Sequence, residues 1–210
     1  GKNLSKESVE TTHYSAIDNE GNVVGITTTL NMSYGNKKVV DGAGFLLNNE
    51  MDDFSSKPGI ANAFGLIGYK ANAIAPFKRP LSSMSPTIII DSEGTPILTI
   101  GAAGGSRIIT AVLQTIISVV DHDLNIQEAI DAPRTHSQWL PDNLRYEKNS
   151  LTKKTISELE ALNHIFEHGG AVERGVYGLA QVHGVQLKDD KFITGFDKRG
   201  KHDENEGITY

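Results

Sequence analysis

A chain of 210 residues with 38% hydrophobic content is long enough to bury the core of one sizeable domain. Its formal net charge of -6 and pI of about 5.6 argue against a nucleic-acid backbone or an anionic membrane as the main partner, since both require clustered Lys and Arg. The absence of cysteine excludes disulfides, thiolate metal sites and cysteine nucleophiles, and leaves the compartment open.

Residues 1–10 are polar and charged without periodicity and read as a linker or the tail of a preceding segment. The start, Gly1 to Lys6, has no apolar h-region, and nowhere is there an apolar run long enough to span a bilayer; a signal sequence would lie upstream. From Thr12 to Asp18 the pattern predicts a strand, then a turn over Asp18-Asn19-Glu20-Gly21-Asn22 and a second strand from Val23 to Leu30. Folded as a hairpin, these strands bring Thr11, at the start of one, beside Thr29 and Asn31, at the end of the other. Thr11 opens the doublet Thr11-Thr12. A threonine hydroxyl is a poor nucleophile at neutral pH, but cleavage of the Glu10-Thr11 bond would free an α-amine of pKa about 8 to act as its base. A Thr-Thr pair at a strand start also has a plain reading, as β-propensity.

Residues 41–80, rich in Gly, Pro and Asn, predict long ordered loops, which in a compact domain are often functional. Two strands follow, Thr87 to Asp91 and Thr95 to Ile100, around the turn Ser92-Glu93-Gly94. After Gly101-Ala102-Ala103-Gly104-Gly105-Ser106 comes a helix with Ile108, Ile109, Val112, Leu113, Ile116 and Ile117 at helical spacing. Asn125 with Glu128 predicts the cap of a short helix ending near Pro133, and a third helix is expected from Ser150 to Leu162, with Ile156, Leu159 and Leu162 on one stripe. Runs at Gly178 to Leu187 and Lys191 to Phe196, separated by Lys188-Asp189-Asp190, read as a closing hairpin. Strands, then helices, then strands imply a layered α+β fold.

Several groups in this order carry chemistry. Gly104-Gly105, at a strand-to-helix junction, can offer backbone N–H groups to an oxyanion, or can be glycine only for a tight turn. Asn48 to Asp53 supplies acceptors for an ammonium group, or a solvated acidic loop. The hydroxyls within Lys78 to Pro86 can donate to a carboxylate or satisfy their own backbone. His164 and His168 have i, i+4 spacing, but Ile165 stands where a zinc motif carries glutamate. Asp197 and Arg199 read as a surface salt bridge.

Taken in order, these segments resemble the γ-glutamyltransferase (γ-glutamyl transpeptidase) family. The signatures are Thr11-Thr12-His13-Tyr14-Ser15, Leu47-Asn48-Asn49-Glu50-Met51-Asp52-Asp53-Phe54, Lys78-Arg79-Pro80-Leu81-Ser82-Ser83-Met84-Ser85-Pro86 and Gly104-Gly105-Ser106-Arg107-Ile108-Ile109. The match runs from Thr11 to about Pro141 and thins after Tyr146. The resemblance implies an N-terminal-nucleophile hydrolase with a four-layer αββα sandwich, made as a precursor that cleaves itself at Glu10-Thr11. Residues 1–10 would then end a large subunit, and 11–210 would form the small-subunit catalytic domain, with the large subunit as its partner.

Carried over from that family, Thr11 would be the nucleophile and Thr29 the hydroxyl that orients it. Asn31, Glu50 and Asp53 would hold the α-amino group of a γ-glutamyl substrate, Ser82 and Ser83 its α-carboxylate, and Gly104 and Gly105 the tetrahedral oxyanion. Three departures stand out. The family's large-subunit arginine lies outside this chain; Phe64 stands in the lid, Pro58 to Gly65, where many bacterial relatives have tyrosine; and Ala102-Ala103 replaces the more usual Ser/Thr-Pro. The reading that follows is γ-glutamyl transfer and hydrolysis of glutathione and related compounds, to amine or water acceptors, without metal or organic cofactor, in a periplasmic or extracellular setting. The alternatives are an acylase of poly-γ-glutamate or glutaryl amides, and a non-catalytic relative that is never processed.

Overall fold

Eight strands and three α-helices make up the computed structural model, which describes residues 11–166 and 178–199. Residues 1–10, with Glu10 of the expected cleavage bond, and His168 lie outside the described residues.

The N-terminal hairpin pairs β1 (Thr12–Ile17) with β2 (Val23–Thr28), in the register Thr12 opposite Thr28. Its turn is built locally: Asp18 Oδ1 accepts from Glu20 N and Asn22 N, both at 2.9 Å, while Gly21 takes a φ of 84°. The same device recurs between β3 (Thr87–Ile90) and β4 (Pro96–Ala103), where Asp91 Oδ1 accepts from Glu93 N and Thr95 N and Gly94 has a φ of 90°. The closing hairpin joins β7 (Gln181–Lys188) to β8 (Lys191–Phe196) through Asp189 and Asp190, at φ 51° and 57°. Two successive positive φ values suit the right-handed twist of a two-residue hairpin, and Asp tolerates that region. Each expected strand is present, but β4 runs three residues past its expected end, to Ala103, so the glycine pair follows the strand directly.

Strands β3, β4, β7 and β8 form one antiparallel sheet in the order β3-β4-β7-β8, and β4 is buried on both faces. The period of two explains this. Leu98, Ile100 and Ala102 face α1 (Arg107–Val120) and α2 (Ile126–Asp131), forming the core with Ile108, Ala111, Val112, Ile126 and Ile130. On the opposite face, Thr99 Oγ1 donates to Val24 O at 3.2 Å, and Gly101 lies against the His13 ring, so the β1-β2 hairpin packs there. Helices, sheet and second sheet make three layers of an α+β sandwich. The outer face of the hairpin, with Tyr14 and Val24, is open among the described residues.

The expected cap at Asn125 is a reciprocal capping box with Glu128. Helix α3 spans Lys153–Ala161, capped by Thr152, and buries none of its residues. The expected apolar stripe on α1 divides: Ile108 and Val112 enter the core, whereas Ile109 and Leu113 stay half exposed. Short strands β5 (Thr135–His136) and β6 (Arg145–Tyr146) pair beside α1. Among the described residues, no helix is long and apolar enough to cross a membrane.

The expectation of a surface pair at Asp197 and Arg199 is overturned. Arg199 Nη1 lies 3.0 Å from Asp197 Oδ1, Arg199 Nε lies 2.6 Å from Glu147 Oε1, and Arg134 Nη1 lies 2.8 Å from Asp197 Oδ2, all buried. Backbone carbonyls take further guanidinium donors: Ile130 O and Ala132 O accept from Arg199, and Ile130 O and Leu179 O from Arg134, whose Nε alone is left without a partner. Burial alone would raise the Asp197 carboxyl, but the two arginines beside it hold it below the usual carboxylate range. The cluster ties the end of β8 to the segment after α2 and to the start of β7.

Candidate active site

Register on the first hairpin places the leading threonine. With Thr12 opposite Thr28, Thr11 and Thr29 fall side by side just beyond the paired strands, and Thr11 Oγ1 donates to Thr29 Oγ1 at 3.1 Å. Thr29 Oγ1 also accepts from Asn31 N at 2.9 Å, which orients it toward Thr11. Asn31 is buried in the left-handed region, with a φ of 74°, and its Nδ2 donates to Asn49 O at 3.1 Å. This bond ties the hairpin to the acidic loop. The residue types of that loop fold it locally, since Asn48 Oδ1 caps Glu50 N at 3.0 Å and a 3-10 turn runs over Glu50–Asp53.

The turn aims Asp53 into a pocket that Thr11, Thr29 and Asn31 also line. Glu50 stands behind Asp53 and hydrogen bonds to it. Burial, then the neighbouring Asp53 charge, pushes the Glu50 carboxyl up to about 7; burial also raises Asp53. Glu50 Oε1 is buried without a hydrogen-bond partner.

Ser82 and Ser83 line the same pocket. Their distance from Asp53 is held by Asn72, whose Nδ2 donates to Asp53 O at 2.7 Å and whose Oδ1 accepts from Leu81 N at 2.9 Å. Asn72 had no sequence signal. The lid hangs from the acidic loop too, with Ala63 N donating to Asp52 Oδ2 at 3.1 Å. Phe64 lines the pocket, and a Cβ added to Gly105 would lie 3.7 Å from its ring.

Gly104 and Gly105, at φ 141° and 61°, turn the chain from β4 into α1. The tight-turn reading of the pair has a direct steric basis. A Cβ on Gly104 would sit 2.7 Å from Ala180, so sterics demand glycine, and the turn brings Gly105 to the pocket wall. Arg107, buried at the start of α1, donates from Nε to Gly104 O at 3.2 Å and from Nη1 to Gly178 O at 2.9 Å, pinning the turn.

Of the residues singled out by sequence, the pocket wall therefore gathers Thr11, Thr29, Asn31, Asp53, Phe64, Ser82, Ser83 and Gly105. Glu50 and Gly104 are not among the residues that line it. Leu66, Met84 and Ile108 add an apolar side that sequence reasoning missed. His13, close to the nucleophile in sequence, is not a site base. Its ring is fixed between Thr27 Oγ1 at 2.7 Å and Ser15 Oγ at 2.9 Å, and burial lowers its pKa to about 4. Among the described residues, no group of three or more His, Cys, Asp or Glu side chains could hold a metal ion.

Layered antiparallel sheets flanked by helices, with a threonine at the head of the leading strand, make an N-terminal-nucleophile hydrolase fold. The family described as gamma-glutamyltranspeptidase matches residues 2–206, well past the point where the sequence resemblance thins, and the chain belongs to that family. It is 53% identical over 161 residues to a glutathione hydrolase proenzyme of Escherichia coli (strain K12), covering 77% of this chain and 27% of that protein. A glutathione hydrolase proenzyme of Pseudomonas aeruginosa is 43% identical over 197 residues, covering 93% of this chain and 34% of that protein. The structure superposes with a TM-score of 0.81 on an acivicin-inhibited gamma-glutamyltranspeptidase that is 47% identical, covering 91% of this chain and 100% of that one. The chain thus spans about a quarter to a third of the length of these curated relatives.

Proposed function

We propose that this chain is the catalytic small-subunit portion of a γ-glutamyltransferase that cleaves the γ-glutamyl amide of glutathione and related compounds. The observation that carries it is that the Thr11-Thr29 hydroxyl pair shares one pocket with the acceptors of Asn31 and Asp53 and the hydroxyls of Ser82 and Ser83. An α-amino acid end needs both: Asn31, Glu50 and Asp53 for the ammonium, Ser82 and Ser83 for the carboxylate. The γ-carbonyl then lies toward Thr11 and the glycine turn.

Cleavage of Glu10-Thr11 would convert the Thr11 amide nitrogen to an amine able to take the proton from its own hydroxyl. The described pocket lining contains no histidine or lysine to do so instead. Thr11 Oγ1 attacks the γ-carbonyl, and the N–H groups of Gly104 and Gly105 receive the developing oxyanion. Collapse expels the amine, which takes up the proton, and leaves a glutamyl ester on Thr11. Water or an acceptor amine resolves the ester and restores the hydroxyl. The rest of the precursor, as large subunit, would complete the pocket, and residues 1–10 would form its end. Export to the periplasm or cell exterior is the setting proposed for such a precursor.

The test is intact mass and N-terminal sequencing of the full-length precursor, alongside turnover of a γ-glutamyl anilide. The expected result is a mature chain beginning at Thr11. Thr11→Ala should abolish both maturation and turnover, and Thr11→Ser should retain part of each. An uncut yet fully active protein would sink the mechanism. Equal turnover of a glutaryl anilide, which lacks the α-ammonium, would move the substrate class to the acylases.

A further inference from the structure

Serine is a favoured N-cap residue because its hydroxyl can accept from the first free amides of a helix. Ser106, at the head of α1 and next to Gly105, does not use it so: its backbone is already helical, with φ -61° and ψ -22°, and its side chain makes no cap bond. The hydroxyl donates instead to Gln138 Oε1, at 2.6 Å and 32 residues away. The same oxygen meets His136 Nε2 at 2.7 Å, and Gln138 Nε2 donates to Leu140 O at 3.1 Å, which sets the way the amide faces. An amide oxygen only accepts, so His136 Nε2 carries a proton. With its proton on Nε2, the neutral ring accepts at Nδ1 from the Thr110 hydroxyl at 2.7 Å, and Arg107 O lies 3.2 Å from the same hydroxyl oxygen. The chain of bonds leaves α1 at Ser106 and returns to it at Thr110, enclosing its first turn. His136 and Ser106 are both buried.

Resting on the γ-glutamyl transfer reading above, we propose that Gln138 is a positioning residue for the oxyanion turn, acting through its hydrogen bond with the Ser106 hydroxyl while His136 fixes its amide. Arg107 anchors the carbonyl side of the turn through Gly104 O, and Gln138 anchors the helix side. Between them lies Gly105, which has no side chain to hold it. Oxyanion donors act only when charge develops in the transition state, and misplacing reacting groups by about 1 Å can cost about a hundredfold in rate. The donor's ammonium and carboxylate are held by other elements, around Asp53 and Ser82-Ser83. Loosening the turn therefore lowers kcat and leaves KM in place.

The test uses the full-length precursor, matured and purified, carrying Gln138→Leu, Ser106→Ala or both. Steady-state kinetics are measured on a γ-glutamyl anilide with a thermal unfolding midpoint as control. The expected result is a kcat reduced about tenfold to a hundredfold in each single variant, KM within about twofold of the parent, and a double variant no slower than the slower single one. Ser106→Ala removes one oxygen only, so it carries the test if Gln138→Leu does not mature. Retained kcat, a raised KM with kcat intact, or losses that multiply in the double variant would overturn the inference. An inactive parent enzyme defeats the γ-glutamyl transfer reading instead, which separates the two failures.

Discussion

Burial and proximity change two ordinary carboxyl groups at Glu50 and Asp53, which on the proposed reading hold the substrate ammonium. Burial and the Asp53 charge raise Glu50 to about 7, so near neutral pH the pair exchanges a proton. A substrate ammonium favours the deprotonated pair. Lowering the pH through about 7 should therefore reduce kcat/KM for donors with an α-amino group, and raising it should restore that value. Glu50→Gln keeps a hydrogen bond to Asp53 without the titration and should move this acidic limb to lower pH. A pH profile of kcat/KM on a γ-glutamyl anilide checks this; a limb left in place would assign it to the Thr11 amine, whose ordinary pKa is about 8. Asp53, Ser82 and Ser83 were legible in the sequence because each lies in a run of chemically apt residues. Asn72 was not: it stands in a loop without pattern, and its role exists only because Asp53 and Leu81, 19 and 9 residues away, meet at its carboxamide.

Among the elements, β1 has a double task, carrying Thr11 at one end and packing its inner face on β4. The contact is close. A Cβ at Gly101 would lie 2.3 Å from the His13 ring, which Thr27 and Ser15 hold in place. Gly101→Ala should accordingly destabilise the fold by about 1–3 kcal/mol through overpacking, and shift the hairpin enough to lower activity as well. Urea unfolding and γ-glutamyl anilide turnover check the two effects; an unchanged unfolding midpoint would show that the sheets separate freely. Strands, turns and caps were readable because each is decided within a few residues, as at Asp18, Asp91 and the Asn125-Glu128 box. The α1 pattern was readable as a helix but not as an orientation. Six apolar positions at helical spacing wrap more of the cylinder than one sheet can cover, so Ile109 and Leu113 remain half exposed.

At the scale of the whole molecule, the buried cluster of Arg134, Glu147, Asp197 and Arg199 ties β8 to the segment after α2. Removing one partner of a buried ion pair leaves a charge without compensation, at a cost of about 3–5 kcal/mol. Arg199→Ala, which strips Glu147 and Asp197 of one cation, should lower the denaturation midpoint accordingly, as chemical unfolding of the mature enzyme would show. A loss below about 1 kcal/mol would indicate that water enters the cluster, as at a surface pair. The half-exposed apolar residues of α1 and of the outer hairpin face fit a chain that spans about a quarter to a third of its relatives' length.

Amino-acid order by itself determined six of the eight strands and the three helices, the two Asp-Gly turns, the capping box, and the chemical inventory of the pocket with the family it marks. Those features follow from backbone periodicity, local hydrogen bonding and residue chemistry, all of which act over short stretches of chain. Only the tertiary structure decided that Asp197 and Arg199 lie in the interior, that Asn72 ties Asp53 to Leu81, and that Ser106 gives its hydroxyl to Gln138. Each depends on segments far apart in sequence, such as Arg199 and Glu147 at a separation of 52 residues. Local propensity carries no information about which distant group will be there to share a charge or a proton, because burial is a property of the packed layers and not of the residue.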